Sequence, residues 1–87
     1  MKMVINGTYG GFELPEDYAA VKTEGFVWDC SDDVRRDLDL IDIVESDDYD
    51  GDLEVVEIPE EATDYYIEEY DGAESVIFVV DGKIHFA

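Results

Sequence analysis

Basic residues are scarce in this chain: five Lys and Arg stand against 25 Asp and Glu, a formal charge of −20. That shortage argues against a protein that grips phosphates, nucleic acid or an anionic membrane, because the field of the whole molecule repels them. Cysteine is limited to Cys30, so no internal disulfide can form, and no CxxC or zinc-ligand spacing exists. A reducing, cytoplasmic setting is expected. No apolar run approaches the roughly 18 residues of a membrane span, and Met1–Ile5 lacks the long apolar segment of a signal peptide. A soluble, unexported protein is therefore expected. The one histidine, His85, alternates with Ile84 and Phe86, and Cys30 beside Trp28 reads as a packed structural thiol. Neither has an evident base or orienting group at hand, so no enzyme and no cofactor are expected.

What is present is enough apolar material to fold. The hydrophobic fraction is 46%, with six Tyr, four Phe and one Trp, too apolar for a chain that stays disordered for want of a core. At 87 residues there is room for a single acidic domain spanning 1–87. Met1–Asn6 reads as a strand broken by Gly7, Gly10 and Gly11. Pro15 with Glu16 and Asp17 opens a short helix that stops near Gly25. Ser31 caps a second helix through about Glu45, with Val34, Leu38 and Ile41 on one face.

Residues 53–58 are rich in β-branched side chains and end at Pro59, which suits a strand. Three further strands, 65–70, 75–80 and 83–86, are joined by Asp71-Gly72 and Asp81-Gly82, pairs favoured in tight hairpins. The run Val76–Val80 is apolar on both faces and should be the central strand. The expected fold is α+β: two short helices packed on a mostly antiparallel sheet with a C-terminal β-meander.

Two short motifs invite a ligand. From Ser46 the chain reads SDDYDGDLEVVE, nearly the twelve-residue calcium loop of an EF-hand, with Ser46, Asp48, Asp50, Asp52, Glu54 and Glu57 at oxygen-bearing positions and Gly51 at the bend. Position 1 departs from the motif, and the β-branched run before Pro59 opposes an exiting helix. Acid density accounts for the match better than a metal site does. The stretch NGTYGGF sits where a phosphate cradle would, but it lacks both glycine-loop spacings, and a structural turn is the better reading.

The opening MKMVINGTYGGFEL, the stretch RRDLDLIDIVES and the later LEVVEIPEEATDYYIEEYDG resemble a group of small acidic proteins encoded by tailed bacteriophages and prophages. The shared features are the Tyr-Gly-Gly-Phe turn, the Val-Glu-Ile-Pro strand and the Ile-Glu-Glu-Tyr-Asp-Gly hairpin, together covering about two-thirds of the chain. The resemblance implies a phage context and a mixed helix and sheet fold, with no catalytic residue. After Gly72 the sequence AESVIFVVDGKIHFA departs from the shorter, more polar ending of that group.

The acids are concentrated: residues 29–74 hold 20 of the 25 with only Arg35 and Arg36 among them. Asp37, Asp39 and Asp42, then Asp48, Asp50 and Asp52, then Glu54, Glu57, Glu68 and Glu69 could present carboxylates as duplex DNA presents phosphates. Tyr49, Tyr65, Tyr66 and Tyr70 could act as rigid anchors. The expected partner is a basic surface on a nucleic-acid-binding host protein such as a CRISPR or restriction nuclease, with no direct binding of nucleic acid or membrane. A calcium-dependent interaction module and a phage structural or assembly protein are the alternatives.

Overall fold

A computed structural model describes residues 1–8 and 10–87, and its elements follow the α+β expectation. In chain order they are β1 (Lys2–Asn6), α1 (Glu16–Lys22), α2 (Asp32–Arg35), α3 (Leu38–Glu45), β2 (Leu53–Glu57), β3 (Asp64–Tyr70), β4 (Ala73–Val80) and β5 (Lys83–Phe86). The strands form two antiparallel sheets, β1-β2 and the meander β3-β4-β5. Among the described residues no helix is long and apolar enough to cross a membrane.

β1 lies between two apolar clusters. Val4 packs into one with Phe12, Leu14, Tyr18, Leu40, Ile41 and Leu53. Met3 and Ile5 project the opposite way, as strand alternation requires, into a second cluster with Ile58, Val76 and Phe78. Both faces of the strand are therefore covered, and each of these side chains contributes about 1.5–3 kcal/mol by leaving water. The antiparallel register pairs Lys2 with Glu57 and Asn6 with Leu53.

The second helix expected over 31–45 is two helices. Asp37 is extended, with ψ 125°, and its carboxylate accepts from Asp39 N at 2.9 Å, so it caps α3 rather than continuing α2. The break also scatters the anticipated apolar face: Leu40 and Ile41 are buried, whereas Leu38 is 74% exposed. In α1, Pro15 is the residue before the first helical position, and Glu24 and Gly25 turn the chain out with φ of 56° and 87°. Tyr9, inside the anticipated glycine turn, lies outside the described residues, while Gly10 and Gly11 take φ of 118° and 90°.

In the meander, Asp71-Gly72 and Asp81-Gly82 all have positive φ, the signature of type I′ hairpins. Their geometry sets the registers, Tyr66 with Ile77 and Phe78 with His85 among them. β4 is the central strand, as its apolar run predicts, with Val76, Ile77 and Phe78 buried.

Candidate functional site

The expected acidic surface does not form one face. Asp37 is committed to structure: besides capping α3 it accepts from the Tyr18 hydroxyl at 2.7 Å. That hydrogen bond above all holds its carboxyl below the ordinary carboxylate value. Burial first, then Asp37, push the Tyr18 hydroxyl well above its ordinary value. Asp39 pairs with Lys22 at 3.0 Å on the surface.

Farther along, Asp42 on α3 and Asp48, Asp50 and Asp52 in the following loop line an open cleft of about 750 Å³. Glu13, ahead of α1, and Glu16 and Asp17, in its first turn, line the same cleft. These three acids precede the acid-rich stretch, and nothing local in the sequence pairs them with residues 42–52. Among the described residues, no group of three or more His, Cys, Asp or Glu is disposed to hold a metal.

Tyr49 is not a free anchor. It is half-buried against the first core cluster, and its hydroxyl accepts from Leu53 N at 2.9 Å. Burial, the leading influence, raises its hydroxyl pKa. The same ring explains Gly51, since a Cβ there would collide with the Tyr49 hydroxyl. Tyr65 is likewise engaged, donating to Asp32, and that bond raises its pKa ahead of burial. Tyr66 and Tyr70 are the exposed members of the set, at 49% and 72%.

The calcium reading fails on geometry. Ser46 is tied into its own turn, its Oγ accepting from Asp48 N at 3.3 Å, and the chain leaves the loop as β2 rather than as a helix. Glu57 sits opposite Lys2, four residues along an extended strand from Leu53, about 13 Å at the usual rise. It cannot join Asp48, Asp50 and Asp52 around one ion. Glu54 and Glu57 also project from opposite faces of β2, and Glu68 and Glu69 from opposite faces of β3. Glu69 is further occupied in accepting from Gly72 N at 2.9 Å.

Among the described residues, the most extensively hydrogen-bonded side-chain pair is one that composition hides. Arg35, read from sequence as one base in an acidic run, is buried together with Glu74. Its Nη1 and Nη2 donate to Glu74 Oε1 and Oε2 at 2.9 and 2.7 Å. Nη1 also reaches the Val4 carbonyl at 3.1 Å, and Nε the Cys30 carbonyl at 2.8 Å. Glu74 Oε1 in turn accepts from Asn6 N at 2.8 Å. The guanidinium lies 4.5 Å from the centre of the Phe12 ring, within cation–π range. Burial works against the charge on Arg35, but Glu74 outweighs it and the pKa is raised.

Val4 C=O and Asn6 N–H lie on the side of β1 away from β2, so this pair occupies the place of another strand. It closes the edge at which the two sheets could have merged. A signal for Glu74 was available: counting back by twos from Val80 and Phe78 puts it on the inner face of β4.

Cys30 is exposed rather than packed, and its contribution is the backbone carbonyl that Arg35 uses. His85 stacks on Phe78 with ring centres 5.4 Å apart. Compared with family models, characterised proteins and solved structures, the chain finds no significant match.

Proposed function

We propose that this chain is an acidic nucleic-acid mimic that occupies a basic groove on another protein and excludes the groove's own substrate. Charge density carries the reading. Over its 40 Å long axis the molecule bears a formal charge of −20, and the same length of duplex DNA bears about 24 phosphate charges at one per ~1.7 Å. Among the described residues, positive groups form ion pairs with four of the 25 carboxylates: Lys2 with Glu45, Lys22 with Asp39, Arg35 with Glu74 and the terminal ammonium with Glu57. The rest of the acidic field faces solvent largely unneutralised.

The cleft acids Asp42, Asp48, Asp50 and Asp52, with Glu13, Glu16 and Asp17 lining the same cleft, form the core of the contact surface. Glu54, Glu57 and Glu68 extend it around the molecule, and Tyr66 and Tyr70 add exposed aromatic area. The resemblance to phage-encoded proteins supplies the context: the target is a host defence nuclease of the CRISPR or restriction type, and inhibition is steric and electrostatic. Association is then fast and salt-sensitive.

The test is competition. Nucleases of both types are titrated with the protein while DNA binding and cleavage are followed at low and high salt. Charge reversal of Asp42, Asp48, Asp50 and Asp52 to Lys should abolish protection, and inhibition that survives it would sink the mimic mechanism. Capture from a bacterial lysate at the same two salt concentrations identifies the target.

A further inference from the structure

Among the described residues, nothing pairs with the outward backbone edge of β5. Ala87 N donates to the Val76 carbonyl at 2.9 Å, and the register pairs Phe78 with His85 and Val80 with Lys83. Antiparallel ladders alternate, so the amides and carbonyls of Lys83 and His85 face β4, while those of Ile84 and Phe86 face outward. The same two residues carry apolar side chains that are 62% and 71% exposed. A strand edge of this kind is a template for another strand.

The other edges are closed or repelling. On β1, Val4 C=O and Asn6 N–H are taken by Arg35 and Glu74. β3 carries Asp64, Glu68 and Glu69, and β2 carries Glu54 and Glu57, so a second copy brought to either meets like charge. β5 has no acid and carries Lys83 and His85, which makes it the strand where a chain of charge −20 repels its own copy least.

We propose that two copies pair antiparallel along β5, about a twofold axis through His85, to form one six-stranded sheet. The register is self-complementary. Ile84 of each copy exchanges both backbone hydrogen bonds with Phe86 of the other, and their side chains meet as cross-strand pairs on the outer face. That face already holds Tyr66, Ile77 and Val79, and pairing makes its apolar strip continuous across the axis. The contact is isologous, so it closes at two copies. It does not rest on the mimic reading, although Tyr66 lies on both surfaces.

Sedimentation tests it at about 1 M salt, where the Debye length of about 3 Å removes most repulsion between copies. The expected mass is twice that of the chain, returning to a monomer in Ile84→Pro. That substitution removes only an outward N–H and leaves the ladder to β4 intact. In a Cys30→Ser background, His85→Cys should form an intermolecular disulfide readily, because residues opposite each other at a non-bonded position have Cα atoms about 4.5 Å apart. Lys83→Cys should not, since its two copies lie about 13 Å apart in this register.

A monomer at high salt overturns the proposal. So does a dimer that persists in a folded Ile84→Pro chain, or a His85→Cys cross-link no faster than that of Lys83→Cys. If circular dichroism shows Ile84→Pro to be unfolded, the cysteine comparison decides alone.

Discussion

Arg35 and Glu74, 39 residues apart, meet in a bidentate pair of 2.9 and 2.7 Å that also ties down the open edge of β1. Removing one partner strands the other charge, together with the Val4 and Cys30 carbonyls or the Asn6 amide. Arg35→Ala and Glu74→Ala are each expected to lower unfolding free energy by about 3–5 kcal/mol. The apolar double replacement Arg35→Met with Glu74→Leu should recover a good part of the loss. Urea denaturation measures all three, and a single-site loss below about 1 kcal/mol would show the pair to be dispensable.

Tyr18→Phe deletes the hydrogen bond to Asp37 while leaving the helix cap, for an expected loss of about 1 kcal/mol at neutral pH. Because Asp37 is held below its ordinary value in the folded state, this stabilisation is full above the ordinary carboxylate range, near 3.9. It fades as pH falls through the lowered value. The stability gap between Tyr18→Phe and the parent should therefore narrow below about pH 4. A gap that widened there would reverse the assignment.

The two hairpin glycines allow a controlled comparison. Gly72 and Gly82 have φ of 87° and 76°, but only at Gly72 would a Cβ meet another segment, the backbone of Gly11. Gly82→Ala should cost about 1–2 kcal/mol of left-handed strain. Gly72→Ala should cost clearly more, because backbone cannot yield as a side chain can. Equal thermal shifts for the two variants would contradict the contact.

Calorimetric titration with calcium should give only weak heats that magnesium reproduces, unchanged in Glu57→Gln. Glu57 lies on β2 opposite Lys2, out of reach of the loop. A saturable, calcium-selective site lost on Glu57→Gln would restore the EF-hand reading.

Salt should stabilise the fold. Self-repulsion at −20 is screened as ionic strength rises, whereas the exposed Lys2–Glu45 and Lys22–Asp39 pairs have little to lose. The melting temperature in sodium chloride is expected to climb, and Lys22→Ala should shift it little at any salt concentration. A fall in melting temperature with salt would mean that attractive pairs dominate.

The parts of the fold legible in the sequence are those fixed by neighbours along the chain. Asp71-Gly72 and Asp81-Gly82 specify their turns locally, so β3, β4 and β5 were readable nearly to the residue. The pairing of β1 with β2 was not, because no short-range feature announces that Lys2 faces Glu57. The break at Asp37 escaped for a related reason. Asp is favoured at helix caps and poor in helix interiors, but the apolar spacing of Val34, Leu38 and Ile41 runs across Asp37 and masks the break. At the acidic surface, the list of acids was visible, but their roles were not: Asp37 and Glu69 serve the backbone, Tyr49 serves the core, and Glu13 joins the cleft only through the tertiary fold.

The position of β1 between two apolar clusters also constrains the order of folding. One of its faces is covered partly by α3 and β2, the other by residues of β4, and Asn6 reaches Glu74 across 68 positions. Neither core can close around β1 until distant segments have arrived, so loop closure must precede most of the stabilising contacts. Although the hairpins can form from local contacts, helices of four to eight residues are marginal alone, and the strand between the two clusters has to wait for its distant partners. Folding should therefore be slower than the short helices and tight hairpins alone would suggest.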